Sequence, residues 1–297
     1  MTEIRKVLCP VDFSETSHDA LEHAVAIARW YDSEIIALYV RATPMVDTAT
    51  LFTMTAALPN LSEPEDRAAA EEHLRAWLEP RRPDVPTRTV VAEGSVAATI
   101  LETAKSRGVD LIVMGTHGSS GFERLVLGSV TEKVLRKATC PVLTVPPASY
   151  STVKLPYTRV LCPLDFSESS KAALGFAFSL GKESDAAVTL LHVVDTPDSE
   201  HLTQRFDWSQ YQKAVGEKVS SQLNQLVPDE VRLWCRPSVQ VAFGKPYREI
   251  LSVAATEKAD LIVIGVRGRN PIELAIFGST TNQVVRRATC PVLTLAA

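Results

Sequence analysis

One pattern, written twice, constrains what this chain can fold into. A glycine, two residues, a second glycine, nine residues and then glycine-serine occur as Gly115, Gly118 and Gly128-Ser129, and again as Gly265, Gly268 and Gly278-Ser279. The register holds outside the motif. Val7-Leu8-Cys9-Pro10-Val11-Asp12-Phe13-Ser14-Glu15 returns as Val160-Leu161-Cys162-Pro163-Leu164-Asp165-Phe166-Ser167-Glu168, and Ala138-Thr139-Cys140-Pro141-Val142-Leu143-Thr144 returns as Ala288-Thr289-Cys290-Pro291-Val292-Leu293-Thr294. The chain is a tandem duplication of one domain. Its 297 residues divide into two units of ordinary size, each able to bury a core. The expected units are residues 1–147 and 157–297, with 148–156 as a short linker in a proline-bounded stretch (Pro147 to Pro156).

Within each copy, short apolar runs alternate with longer amphipathic stretches, the mark of βαβ units around a parallel sheet. Strands are expected near 4–10, 34–40, 87–92, 110–115 and 141–145, and near 157–163, 186–193, 231–241, 260–265 and 291–295. Leu111-Ile-Val-Met114 and Leu261-Ile-Val-Ile264 are apolar throughout, as central strands covered on both faces should be. Helical spacing joins Ala20, Leu21, Ala24, Ile27 and Ala28, and also Val130, Val134, Leu135 and Ala138. The connection from Arg41 to Pro64 carries an apolar cluster (Met45, Val46, Leu51, Phe52, Met54, Leu58) and is expected to be a surface loop with packing of its own, or else a lid or subunit contact.

Composition narrows the partners. Net charge is −4 and charged residues make up 22%, so nothing draws the chain generally to nucleic acid or to an acidic membrane. No apolar run approaches the ~20 residues of a membrane span, and the first residues lead straight into a strand, so a cytoplasmic protein is expected. The five cysteines include no CxxC pair, which favours buried thiols over disulfides or zinc.

The glycine motif carries the chemistry. Gly115 ends a strand, and residues 116–121 form a loop of small residues that can turn several N–H groups toward one anion. Gly128-Ser129 then opens a helix, whose first N–H groups lack partners and whose dipole end is positive. Phosphate is the natural guest. Ser129 with Glu132 also reads as a capping box needing no ligand; Ser279, followed by Thr280, Thr281 and Asn282, lacks the glutamate. Asp12 and Asp165, between the first strand and first helix of each copy, fit helix capping with Glu15 and Glu168. They also fit a nucleoside contact, because ligands of open parallel sheets sit where the winding direction reverses. His117 in one loop becomes Arg267 in the other, each able to pair with phosphate. Glu93-Gly94-Ser95-Val96 and Phe243-Gly244-Lys245-Pro246 are expected to cap the following helices. No Walker A loop, GxGxxG, GxSxG or HExxH motif occurs, nor any convincing acid–base or nucleophile–base arrangement.

On these residues the chain resembles the universal stress protein family in its tandem form. The glycine spacing in both copies is similar to that of the family's ATP-binding branch. The resemblance implies an α/β, Rossmann-like fold: two tandem open parallel five-stranded sheets in the order 3-2-1-4-5, with helices on both faces and the halves paired through their fifth strands. It implies ATP or a related adenine nucleotide, with or without Mg²⁺, in each half. Carried over by position, Pro10, Asp12 and Val40 would meet the nucleoside, and Met114, Gly115, His117, Gly118, Gly128, Ser129, Val130 and Thr131 the ribose and phosphates. The second set is Pro163, Asp165, Val193, Ile264, Gly265, Arg267, Gly268, Gly278, Ser279, Thr280 and Thr281. Asn270 and Pro271 replace Ser120 and Gly121, which stiffens the second loop and sets its affinity apart. The implied function is an ATP-binding regulator of a stress response, with a homodimer as a further possible assembly. Two alternatives stay open: a slow ATPase or autophosphorylating enzyme, at Ser129 or Thr131 and their counterparts, and a nucleotide-free dimerisation module.

Overall fold

A computed structural model describes residues 3–42, 64–81, 84–116, 127–147, 156–196, 207–266 and 278–295. The apolar cluster expected between Arg41 and Pro64, and the linker 148–155, lie outside the described residues. The first half runs β1 (Lys6–Val11), α1 (Glu15–Tyr31), β2 (Glu34–Ala42), α2 (Pro64–Leu78), β3 (Thr87–Gly94), α3 (Val96–Arg107), β4 (Leu111–Gly115), α4 (Ser129–Lys137) and β5 (Val142–Val145). The second runs β6 (Arg159–Pro163), α5 (Glu168–Ser184), β7 (Ala187–Val194), α6 (Trp208–Gln225), β8 (Arg236–Phe243), α7 (Pro246–Thr256), β9 (Leu261–Gly265), α8 (Ser279–Arg287) and β10 (Val292–Leu295).

Each half keeps the order 3-2-1-4-5, but the two do not form separate sheets. They make one ten-stranded sheet, β3-β2-β1-β4-β5-β10-β9-β6-β7-β8. The reason lies in the short strands at the join. β5 and β10 are buried at every residue, so their outer edges cannot be left to water, and each edge satisfies the other. The pairing is antiparallel, centred on Leu143↔Leu293, as a two-fold relation between like strands requires. The Thr144 hydroxyl donates to the Val292 carbonyl and the Thr294 hydroxyl to the Val142 carbonyl, both at 3.1 Å.

Two apolar layers sandwich the sheet, and both run through the two halves. One packs Val7, Cys9, Val160 and Cys162 under α1 and α5; the other packs Leu8, Ile112, Leu161 and Ile262 under α3, α4, α7 and α8. The strands alternate between them, so β4 is buried at every residue and β1, β6 and β9 at most of theirs. All five cysteines are free. Burial pushes the Cys9 and Cys290 thiols up to about 12 and those of Cys140 and Cys235 to about 11, which leaves them inert near neutral pH. One strand expectation is corrected: β8 begins at Arg236, and Asp229–Leu233 is a 3₁₀ turn after Pro228. The apolar alternation there misleads because Val231 enters the core while Leu233 is 85% exposed.

Candidate functional site

The site begins where β1 and β4 part. They share only the registered pairs Val7↔Leu111 and Leu8↔Ile112, although β1 continues to Val11 and β4 to Gly115. The second half repeats this with Val160↔Leu261 and Leu161↔Ile262. Pro10 and Pro163 stand just beyond the last shared pair, where a residue without an N–H can be accommodated in an interior strand. The split is the switch point of each half, flanked by β2 and β5 in the first and by β7 and β10 in the second.

Above the split in the first half lies a cleft of about 260 Å³, close to the ~300 Å³ at which ligand pockets begin. It brings together Pro10, Asp12, Val40, Met114, Gly115, Gly128, Ser129, Val130 and Thr131. His117, Gly118, Arg267 and Gly268 lie outside the described residues. In the second half Pro163 and Asp165 end and follow β6, Val193 lies on β7, Ile264 and Gly265 close β9, and Gly278 to Thr281 open α8. Sequence reasoning missed Leu38, Tyr39, Val96 and Ile100, which supply the apolar walls. Their pattern reads as ordinary core, and only topology turns them toward the cleft.

Both capping expectations shift. Ser14, not Asp12, caps α1, its hydroxyl accepting from Ser17 N–H at 3.2 Å; Ser167 caps α5 through Ser170 N–H at 3.3 Å. Asp12 Oδ1 instead accepts from the Ser14 N–H at 3.1 Å and from its hydroxyl, and Asp165 Oδ1 does the same with Ser167. An aspartate two residues before the cap serine builds this turn, and Phe13 and Phe166 between them adopt φ 63° and 65°. Phenylalanine in the left-handed region is strained. At Phe13 the ring stacks on His73 at 4.2 Å and lies 4.7 Å from Tyr39.

The second correction concerns α4. Its N-cap is Gly128, with no side-chain cap hydrogen bond, which places Glu132 one residue too far for a capping box. Glu132 turns to Arg136 at 2.7 Å and to Arg286 of the other half at 3.8 Å. Gly278 caps α8, equally without a side-chain bond. The N–H groups of Ser129, Val130 and Thr131 therefore have neither an intrahelical acceptor nor a capping side chain, and they open on the cleft that Asp12 faces from the other side. Lys245 and Ser95 stand at the N-caps of α7 and α3 without side-chain cap bonds. A larger depression of about 480 Å³ on the outer side of α1 is rimmed by His18, Glu22 and Arg29. Polar groups there already have partners: His18 Nε2 lies 3.4 Å from Glu22, and Arg29 pairs with Asp84. Among the described residues no cluster of histidine, cysteine and carboxylate could hold a metal, and no helix is long and apolar enough to cross a membrane.

A sequence model of the universal stress protein family matches residues 3–146 and again 156–295. The chain belongs to that family. The universal stress protein MJ0531 of Methanocaldococcus jannaschii is 37% identical over 144 residues, 48% of this chain and 81% of that one. A universal stress protein of Mycolicibacterium smegmatis is 26% identical over 296 residues, 97% of this chain and 95% of its own, so the tandem arrangement is shared along its length. The crystal structure of a universal stress protein from Archaeoglobus fulgidus superposes with a TM-score of 0.65 at 22% identity, covering 98% of this chain and 96% of that one; it shows the common fold.

In this universal stress protein the second turn favours the charged form of its carboxylate. Burial alone would raise the Asp165 carboxyl, but bonds from the Ser167 hydroxyl and N–H and from Ser170 outweigh it and hold the group below its ordinary value. A depressed carboxylate adds stability above its unfolded pKa, lost as pH falls through the folded value. Ser167→Ala removes both the cap and one of these donors. It is expected to cost about 1 kcal/mol at neutral pH and to raise the Asp165 pKa, read by denaturant unfolding and by carboxyl titration in NMR spectra. An unchanged Asp165 titration would refute this account of the turn.

Proposed function

We propose that the chain is an adenine-nucleotide-binding regulatory protein of the stress response, with one ATP site in each half. The observation that carries this reading is the cleft at the first switch point, into which the uncapped N-terminus of α4 opens opposite Asp12. Helix N–H groups and the positive dipole end suit phosphate, the walls from Leu38, Val40, Met114 and Ile100 suit a base, and a carboxylate suits ribose hydroxyls. The same elements recur in the second half, with Asp165, Val193 and the uncapped α8 in the matching places.

The chemistry favours binding over turnover. Asp12 is the sole carboxylate among the described residues lining the cleft, and its Oδ1 is engaged by Ser14. Thr131 and Thr281 are 3% and 5% exposed, with their hydroxyl protons given to backbone carbonyls, which is poor placement for a phosphoryl acceptor. Ser129 and Ser279 are exposed and are the residues an autophosphorylating activity would use. The nucleotide-free reading draws on one observation, that close helix approach accounts for Gly115 and Gly265 without any ligand. It leaves the uncapped helix starts unexplained.

The test is calorimetric titration with ATP, with and without Mg²⁺, together with identification of any nucleotide released on denaturing the purified protein. Two sites per chain are expected, with no phosphate release above background. No binding and no released nucleotide would leave the domain-pairing module as the better account.

A further inference from the structure

We propose that Thr131 and Thr281 are positioning residues whose hydroxyls hold the phosphate-facing helix starts in place and do not themselves contact the ligand. This deepens the nucleotide reading above and rests on it. The Thr131 hydroxyl donates to the Gly115 carbonyl at 2.9 Å, and the Thr281 hydroxyl to the Gly265 carbonyl at 2.8 Å. A hydroxyl has one proton to give, so neither side chain has a donor left for a phosphate oxygen. Each threonine is the third residue of its helix, in the turn whose N–H groups face the cleft. A second strut braces the same turn: Gly128 N–H donates to the Thr116 carbonyl at 2.8 Å, and Gly278 N–H to the Val266 carbonyl at 3.1 Å.

Together the two bonds fix α4 on the end of β4, and α8 on the end of β9, at a defined height and rotation. Without the threonine strut the helix start keeps its packing through Val134 and Leu135, both buried, but its first turn can tilt. Hydrogen bonds from N–H groups weaken steeply with misalignment. The loss therefore falls on the phosphates more than on the base, which the reading places against Val40 and the apolar wall of the same cleft. That selectivity separates positioning from a general structural role.

The experiment compares ATP with adenosine on the full chain. Thr131→Val keeps the shape and removes the donor. It is expected to weaken ATP about tenfold at one site, the effect of losing about one hydrogen bond's worth of alignment, while adenosine affinity falls by less. Thr131→Ser restores the donor and is expected to bind ATP as wild type does. Thr281→Val repeats the test on the independent strut, and carries it if Thr131→Val melts before binding can be read. Equal loss of ATP and adenosine, or no loss of ATP in a folded valine variant, overturns the positioning role while the site stands. A wild-type chain that binds neither ligand overturns the site itself, and the role with it.

Discussion

Replacing His23 with phenylalanine is expected to flatten the acid side of the chain's stability profile. His23 lies on α1, 1% exposed, at the seam between the halves. Its Nδ1 is 3.3 Å from the hydroxyl of Tyr157, which precedes β6, and its Nε2 has no partner. The groups around it give a charge little support. Asp19, one turn earlier on the same helix, sits 3.7 Å from His18. Ile27, Phe176 and Leu180 border a small apolar cavity of about 20 Å³ along the same seam, with Tyr31 and Tyr157. Burial pushes the His23 imidazole down to about 4. The unfolded chain, with a histidine pKa near ~6.5, therefore binds a proton that the folded chain refuses between those values. Stability must fall as pH drops through that window and level off below it. The full difference is about 3 kcal/mol, of which roughly 2 are lost by pH 5. Phenylalanine is the residue the duplication itself places there, because Phe176 holds the matching position on α5. Urea unfolding at pH 7 and pH 5 reads the slope independently of any constant packing change in the variant. An equal pH dependence in His23→Phe and wild type would remove His23 as its source.

The seam also marks the limit of what the sequence shows. The duplication, the strands and the glycine-rich turns are legible, because repetition and apolar runs are local signals; the strand order within each half came with the family resemblance, and the structure has it. Continuity of the sheet is not in the residues, since Val142–Val145 and Val292–Leu295 read alike whether they end a sheet or join two; the resemblance supplied the pairing of fifth strands, which the structure has, but not its consequence of one sheet in place of two. The caps were misplaced for a related reason. Asp12 and Ser14 are both good capping residues, as are Gly128 and Ser129, and propensity cannot choose between neighbours when the turn geometry decides. Nothing in Phe13 announces a φ of 63°. His23 reads as one more position on an amphipathic helix, and its consequence appears only when Tyr157, 134 residues away, closes over it.

The glycines that begin the motif offer the sharpest separation of packing from binding. A Cβ at Gly115 would stand 3.0 Å from the Thr16 Cβ and 3.0 Å from its carbonyl oxygen. At Gly265 it would stand 2.7 Å from the Ser169 Oγ and 2.8 Å from both the Ser169 carbonyl carbon and the Ser170 nitrogen. Main-chain atoms in the first turn of a capped helix cannot swing aside, so the helix must back away from the strand end. Gly115→Ala and Gly265→Ala are therefore both expected to destabilise the chain, by about 1–3 kcal/mol as overpacked cores do, with Gly265→Ala the costlier. Each also opens the split between the first helix and the fourth strand of its own half, moving the aspartate turn away from the helix start that faces it. ATP affinity is expected to drop at least tenfold at the altered site and to hold at the other, so that calorimetry passes from two tight sites to one. Gly115→Ala binding two equivalents as tightly as wild type would show that the approach of α1 to β4 serves packing alone. A reversed order of stability, with Gly115→Ala the worse, would mean that the tighter contact at Ser169 and Ser170 yields more readily than its geometry allows.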